Sequence, residues 1–173
     1  MPANDTIFMD KKALSERDIC SIFIGPAVQR AGWDPMAQIR EEVSFTNGRI
    51  IVRGKLVTRG KAKRADYVLY YKPNIPIAII EAKDNSHSVG DGIQQALGYA
   101  TTLNIPFVFS SNGDGFLFHD RTGTSAEKEA NLPLDQFPSP GELWEKYRAW
   151  KDLTPDEEKI VLQIGRASCR ERV

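Results

Sequence analysis

Three polar residues near the ends of two predicted strands have types and spacing that suit phosphate chemistry. Asp66 lies at the start of ADYVLYYK, and Glu81 and Lys83 lie at the end of IPIAIIEAK. Residues two apart on a strand share a face, so Glu81 and Lys83 project side by side and Asp66 can approach from the neighbouring strand. Two carboxylates at a sheet edge supply the oxygen ligands that Mg²⁺ prefers. The spacing therefore predicts a magnesium site at this edge.

Such a site would suit the hydrolysis of a phosphodiester bond. The cation offsets the charge that builds on the phosphate and makes a bound water more acidic. The Lys83 ammonium could stabilise that charge or help to move a proton. The alternative is that Glu81 and Lys83 form an exposed pair at a strand end and that Asp66 is a turn residue.

The surrounding pattern predicts an α/β fold with a central mixed sheet flanked by helices. A helix over 14–33 begins at Ser15 as N-cap, with a break or kink near Gly25 because Pro26 follows. Asn47-Gly48 predicts a hairpin turn between two strands. Those strands are expected at 40–46 and 49–53.

The centre of the chain supplies the remaining predicted elements. We expect strands at 65–72 and 75–82, and the second is central because it is apolar on both faces. A serine-capped helix over 88–103 and a strand over 105–111 follow, and the next segment, 115–120, is predicted to be an edge strand. Beyond it the chain is polar, with short helices.

A basic segment precedes the first of these acids. It is predicted to be flexible around two glycines and to meet DNA phosphates, although an ordinary solvated loop would have the same composition. Its basic residues are Arg53, Lys55, Arg59, Lys61, Lys63 and Arg64.

Composition places the protein in the globular class. Hydrophobic residues make up 41% of the 173 residues and charged residues 27%, with a formal net charge of zero, so only local charge can argue for nucleic-acid binding. Apolar runs are too short to span a membrane, and the start lacks a secretory pattern, which predicts a cytoplasmic protein. The last segment, IGRASCRERV (164–173), resembles a translated sequencing adapter and is predicted to be non-native.

The spacing of Asp66 and Glu81-Ala82-Lys83 resembles the PD-(D/E)xK nuclease motif, with Arg64-Ala65 where proline usually stands. Gln95 and Tyr99 resemble the QxxxY motif of one branch of these nucleases. The stretches RGKLVTRGKAKRADYVLYYKPNIPIAIIEAKD, HSVGDGIQQALGYA and IPFVFSSNGDGFLFHDRTG extend the likeness over 14–122. This region resembles the N-terminal nuclease domain of the type I restriction enzyme R subunit.

The resemblance implies a restriction-endonuclease-like fold and an endonuclease that cuts double-stranded DNA with Mg²⁺. It implies that Asp66 and Glu81 are metal ligands and that Lys83 is the catalytic lysine. Its accessory residues would be Gln95, Tyr99 and, by position in the first helix, Glu16. A stand-alone nuclease such as a junction resolvase or repair enzyme, and an inactive DNA-binding module of the same fold, remain alternatives.

The resemblance also implies partners and a domain plan. In that family, modification and specificity subunits choose the DNA site and bind S-adenosylmethionine, and motor domains use ATP. The chain has no Gly-Lys-Thr/Ser phosphate loop, so the motor is expected to be missing and ATP is not expected to bind to this chain. The resemblance implies that S-adenosylmethionine binds only to the partner subunits. We predict a nuclease domain over 1–122, a polar connecting region over 123–163 leading towards an absent motor, and the non-native tail.

Overall fold

The computed structural model describes residues 9–46, 49–50 and 62–170. Within these ranges a mixed sheet contains β1 (Ile39–Thr46), β2 (Arg49–Ile50), β3 (Lys63–Lys72), β4 (Ile75–Ala82), β5 (Phe107–Ser111), β6 (Gly115–Asp120) and β7 (Glu129–Pro133). The strand order is β2-β1-β3-β4-β5-β6-β7. β4 and β5 pair in parallel, and the other neighbours pair antiparallel.

Helices cover both faces of the sheet. They are α1 (Glu16–Ile19), a π-helical segment (Cys20–Ile24), α2 (Gly25–Arg30), α3 (Ile93–Leu103), α4 (Pro140–Lys151) and α5 (Pro155–Arg170), with 3₁₀ turns at Lys11–Ala13 and Leu134–Gln136. Ile80 of β4 packs in the cluster that contains α1, α2 and α4 residues, and Ile79 packs in the cluster beneath α3. The prediction of a mixed sheet flanked by helices, with β4 central and covered on both faces, is confirmed.

The first helix begins as predicted and is interrupted next to Gly25. Ser15 Oγ accepts a hydrogen bond from the Asp18 amide at 3.2 Å, and the Asp18 carboxylate accepts one from the Ser15 amide at 3.1 Å, which completes a capping box. The predicted break near Gly25 takes the form of a π turn over Cys20–Ile24, after which α2 begins at Gly25. The Gly25 amide donates to Cys20 O, five residues back, so Pro26 can open a fresh helical turn.

Of the elements predicted on either side of the first acid, the hairpin agrees with the structure as far as it is described, and the start of the following helix differs. The hairpin strands pair, with Thr46 opposite Arg49, although its turn at 47–48 and residues 51–53 lie outside the described residues. The helix predicted from Ser88 begins at Ile93 instead. Ser88 and Asp91 form a local turn, in which the Ser88 amide donates to Asp91 Oδ2 at 3.0 Å, and this turn mimics a helix cap in the sequence.

The prediction that 115–120 is an edge strand is wrong. β7 pairs with β6, placing Phe118 opposite Ala130, within a region predicted to be a polar connection with short helices. Its residues are alternately exposed and half-buried and it ends in proline, as edge strands often do. Leu143 and Trp144 of α4 are buried in the core beside it, so the sheet and its core extend past residue 122.

The residues that the structure describes include no helix with the length and apolarity needed to cross a membrane.

Candidate active site

The pairing of β3 with β4 brings the two predicted acids together. Tyr67 lies opposite Ile80, and the same register continued by one residue puts Asp66 opposite Glu81. Opposed residues of an antiparallel pair project to the same face. Asp66 Oδ2 also accepts a hydrogen bond from the Ala82 amide at 2.8 Å, which ties the start of β3 to the end of β4.

Glu81 is a buried acid whose carboxylate is only partly hydrogen-bonded by the described residues. It is 3% exposed, and the Lys83 ammonium lies 3.9 Å from its Oε1. Its Oε2 accepts no hydrogen bond from the residues described. Burial, together with the negative charge of Asp66, raises the pKa of Glu81 to about 8. A buried carboxylate with an unsatisfied oxygen is suited to receive a positive charge.

Lys83 is held by the accessory pair that the sequence predicts. Its Nζ donates to Gln95 Oε1 at 3.2 Å, and Gln95 Nε2 donates to the Tyr99 hydroxyl at 2.8 Å. The Tyr99 ring packs edge-on against Phe45, with centroids 5.1 Å apart. Gln95 and Tyr99 lie one turn apart on α3 and therefore share a face. Gln95 thus contacts the predicted catalytic lysine directly, and Tyr99 contacts it through Gln95.

Glu16 lies on the same side of the molecule as Asp66. Both line a cavity of about 520 Å³ between α1 and the sheet. Burial and the charge of Asp66 raise the pKa of Glu16, and Lys83 opposes that rise. Burial likewise raises the pKa of Asp66, against the hydrogen bond from Ala82 and the charge of Lys83. The remaining lining residues are Ser15, Arg17, Cys20, Ser21, Glu41, Glu42, Arg64 and Tyr67.

The structure describes only part of the predicted basic segment. Lys63 and Arg64 are exposed residues of β3, so the prediction of a flexible segment up to residue 64 is wrong for these two. Arg64 lies 3.9 Å from Glu42 across the strand pair, and it reaches the cavity that Asp66 lines. The other predicted DNA contacts lie outside the described residues: Arg53, Lys55, Arg59 and Lys61.

Three residues at the site were not predicted from the sequence. Ser110, on β5, is fully buried beside Glu81, and Gly92 packs against both. Ser110 ends an apolar run as Glu81 does, and that parallel could have identified it. Glu42 has a left-handed backbone, with φ of 50°, inside β1, and its register places it opposite Asp66. No sequence pattern distinguishes Glu42 from its neighbours.

The donor set fits a hard divalent cation. Across the described ranges, no group of three or more histidine, cysteine, aspartate or glutamate side chains is arranged to hold a metal. Mg²⁺ commonly takes one or two protein carboxylates and completes its shell with water and substrate phosphate. Asp66 and Glu81 supply two such carboxylates, and one oxygen of Glu81 has no hydrogen-bond partner in the part of the chain that the structure describes.

Comparisons with known proteins agree with the architecture. Residues 50–127 match the family described as the N terminus of the type I restriction enzyme R protein. The chain is 49% identical over 151 residues to the type I restriction enzyme EcoAI endonuclease subunit of Escherichia coli. This alignment covers 87% of this chain and 19% of that protein.

A solved structure shows the same fold. It is a fragment assigned to an HsdR subunit of a type I restriction enzyme from Vibrio vulnificus YJ016, with a TM-score of 0.69 and 36% identity. The match covers 83% of this chain and 27% of that one. The chain thus spans about a fifth to a quarter of the length of the relatives that it matches.

Proposed function

Because the chain belongs to the family of type I restriction enzyme R protein N-terminal domains, we propose that it is the nuclease domain of such a subunit. It hydrolyses phosphodiester bonds of double-stranded DNA with Mg²⁺. The observation that carries the proposal is the buried Glu81, which has one oxygen without a partner among the described residues and lies beside both Asp66 and Lys83.

Asp66 and Glu81 would hold the ion. When bound, Mg²⁺ supplies positive charge to the phosphate and activates water for attack. The ion also compensates the negative charge that burial makes costly at Glu81. Two acids whose pKa values are raised by burial are typical of a functional site rather than of a stabilising ion pair.

Lys83 stabilises the negative charge that develops on the phosphate. Its ammonium is fixed by Gln95, which is itself fixed by Tyr99. A donor that is already oriented costs no reorganisation when the reaction occurs. Gln95 and Tyr99 are therefore positioning residues for the lysine, and Glu16 adds a third acid on the same side of the site.

Selection of the DNA site and the use of ATP belong to other parts of the restriction complex in this proposal. Modification and specificity subunits select the DNA, and ATP and S-adenosylmethionine act elsewhere in the complex. The basic residues before β3, with Lys63 and Arg64 at its start, contact DNA phosphates without selecting a sequence.

The test is DNA nicking by the complete R subunit assembled with its partner subunits in Mg²⁺. Glu81→Ala and Lys83→Ala should reduce cutting by about a thousandfold or more while ATP hydrolysis is unchanged. Lys146→Ala is the matched control, because Lys146 also lies 3.9 Å from a buried carboxylate, that of Asp120, in another part of the sheet. Cutting that survives Glu81→Ala would refute the proposal.

A further inference from the structure

The residue before α3 packs directly on the proposed metal ligand. A Cβ at Gly92 would lie 3.2 Å from Glu81 Cγ and 2.9 Å from Ser110 Oγ. The backbone of Gly92 is in the right-handed helical region, with φ of −84°, so backbone conformation does not require glycine here. The requirement is space, because a buried carboxylate and a buried hydroxyl occupy the place of a side chain.

Ser110 joins three elements at this point. It lies beside Glu81 in the parallel pairing of β4 and β5, and its Oγ accepts a hydrogen bond from the Gly92 amide at 3.0 Å. Among the described residues, the N-cap position of α3 makes no side-chain capping bond of its own. A hydroxyl from the neighbouring strand therefore satisfies an amide at the start of the helix.

The hydrogen bond between the Gly92 amide and Ser110 Oγ fixes the position of the start of α3 relative to β5. Gln95 is in the first turn of α3, three residues after Gly92, and it accepts the hydrogen bond from Lys83. A shift of the helix start therefore moves the group that holds the lysine.

We propose that Gly92 and Ser110 are positioning residues of the nuclease reaction, which set the height of α3 above β4 and thereby keep Lys83 beside Glu81. This inference rests on the proposed function. A methyl group at residue 92 must displace Ser110, Glu81 or the helix itself. Groups that orient metal ligands or reactive side chains commonly change metal affinity or rate by about tenfold to a hundredfold.

The chain provides a matched control for each residue. Gly98 is in the same helix, and a Cβ there meets no atom of the described residues within 4 Å. Ser111 is the next residue of β5 and is equally buried. It points to the other face, where its Oγ donates to Gly115 O at 2.6 Å. The Ser111 carbonyl accepts a hydrogen bond from the Lys83 amide, and Ser111→Ala retains that backbone bond. Both controls therefore change side chains of the same elements and leave this backbone contact in place.

The experiment compares Gly92→Ala with Gly98→Ala, and Ser110→Ala with Ser111→Ala. In the assembled complex, kcat for nicking should fall roughly tenfold to a hundredfold in Gly92→Ala, and less in Ser110→Ala, with KM for DNA unchanged. In calorimetric titrations of this chain, the Kd for Mg²⁺ should rise about tenfold in Gly92→Ala. The control variants should keep the wild-type kcat and Kd.

The serine pair separates positioning from simple destabilisation. Ser111→Ala loses two buried hydrogen bonds, one to Gly115 O and one from the Gly113 amide, whereas Ser110→Ala loses the one from the Gly92 amide. A purely structural role therefore predicts that Ser111→Ala loses at least as much thermal stability and kcat as Ser110→Ala. That result, or a Gly92→Ala protein with wild-type Kd and kcat, would overturn the inference. If Gly92→Ala does not fold, the serine pair decides alone.

Failure of the proposed function gives a different result. In that case Glu81→Ala would still cut DNA and bind Mg²⁺ as wild type does. If Glu81→Ala abolishes both while Gly92→Ala and Ser110→Ala match their controls, only the positioning role is refuted.

Discussion

Two buried carboxylates in the sheet each have a lysine ammonium 3.9 Å away, yet their pKa values shift in opposite directions. Glu81 is 3% exposed and Asp120, at the end of β6, is 1% exposed. Burial raises the pKa of Glu81 to about 8, with Asp66 adding to the rise. Burial also acts to raise the pKa of Asp120, but hydrogen bonds hold it below its ordinary value.

Direct donors explain the difference. Asp120 accepts from the Thr122 amide at 2.8 Å, from the Thr122 hydroxyl at 2.5 Å and from Ser125 Oγ at 2.6 Å. Glu81 has no such set, and one of its oxygens lacks a partner among the described residues. A nearby ammonium alone does not compensate for burial, whereas short hydrogen bonds do. Asp120 is a structural acid whose oxygens accept hydrogen bonds, whereas Glu81 keeps one oxygen without a partner among the described residues.

The largest effect on stability is expected from removing the satisfied acid. Asp120→Ala should lower the free energy of unfolding by about 3 kcal/mol, because it leaves three half-buried donors without their acceptor and removes a buried side chain. Urea denaturation at pH 7 measures this loss. Asp135→Ala, at an exposed acid, should stay within about 0.5 kcal/mol of wild type. A loss no larger than that of the control would contradict the role assigned to Asp120.

Neutralising the unsatisfied acid should have the opposite sign. The pKa of Glu81 is raised from 4.5 to about 8, so ionisation of Glu81 makes folding progressively less favourable as pH rises from 4.5 to 8. Without Mg²⁺, Glu81→Gln should therefore be more stable than wild type by about 2 kcal/mol at pH 6.

The pH dependence provides the control for that variant. The advantage of Glu81→Gln should shrink as pH falls and vanish below about pH 4.5, where the wild-type side chain is protonated in both states. Asp66 and Glu16 are also raised in pKa, but both proteins retain them, so the difference isolates Glu81. Denaturation at pH 5 and pH 8 in chelator tests this, and a difference that does not depend on pH would contradict it.

The smallest effect is expected at the lysine beside Asp120. Lys146→Ala should reduce the free energy of unfolding by less than about 1 kcal/mol, because Lys146 is partly exposed and such pairs contribute little. The hydroxyl and amide donors to Asp120 remain. Thermal unfolding at two salt concentrations measures this loss of stability. A loss as large as that of Asp120→Ala would show that the Lys146 ammonium, rather than the hydroxyl groups, compensates the buried charge of Asp120.

Much of the sheet could be predicted because its strands carry strong local patterns. β4 is apolar on both faces, and such a run fits a central strand. β7 has the sequence EANLP, a short run that ends in proline and has no β-branched or aromatic residue, and it is a strand because β6 provides a partner. The start of α3 was misplaced because Ser88 and Asp91 bond to each other as capping residues do.

Some residues of the candidate site could be predicted from the sequence, and others could not. The spacing of Asp66, Glu81 and Lys83 was visible because it depends on positions within strands and on a family resemblance. The roles of these residues remain predictions until the variants are measured. Ser110 and Gly92 were not found, because their contact joins residues 18 apart in the chain, and no local periodicity encodes it.

The sequence by itself determined which residue types reach the end of the sheet: two acids and an amine at strand ends, followed by an amide and a phenol one helical turn apart. Tertiary structure decided the electrostatic state of those groups. Among the described residues, one oxygen of Glu81 has no hydrogen-bond partner and Lys83 donates to Gln95, because β5 and α3 pack against the end of β4. Burial and hydrogen bonding depend on distant segments packing together, so a pKa or an orientation cannot be obtained from spacing along the chain.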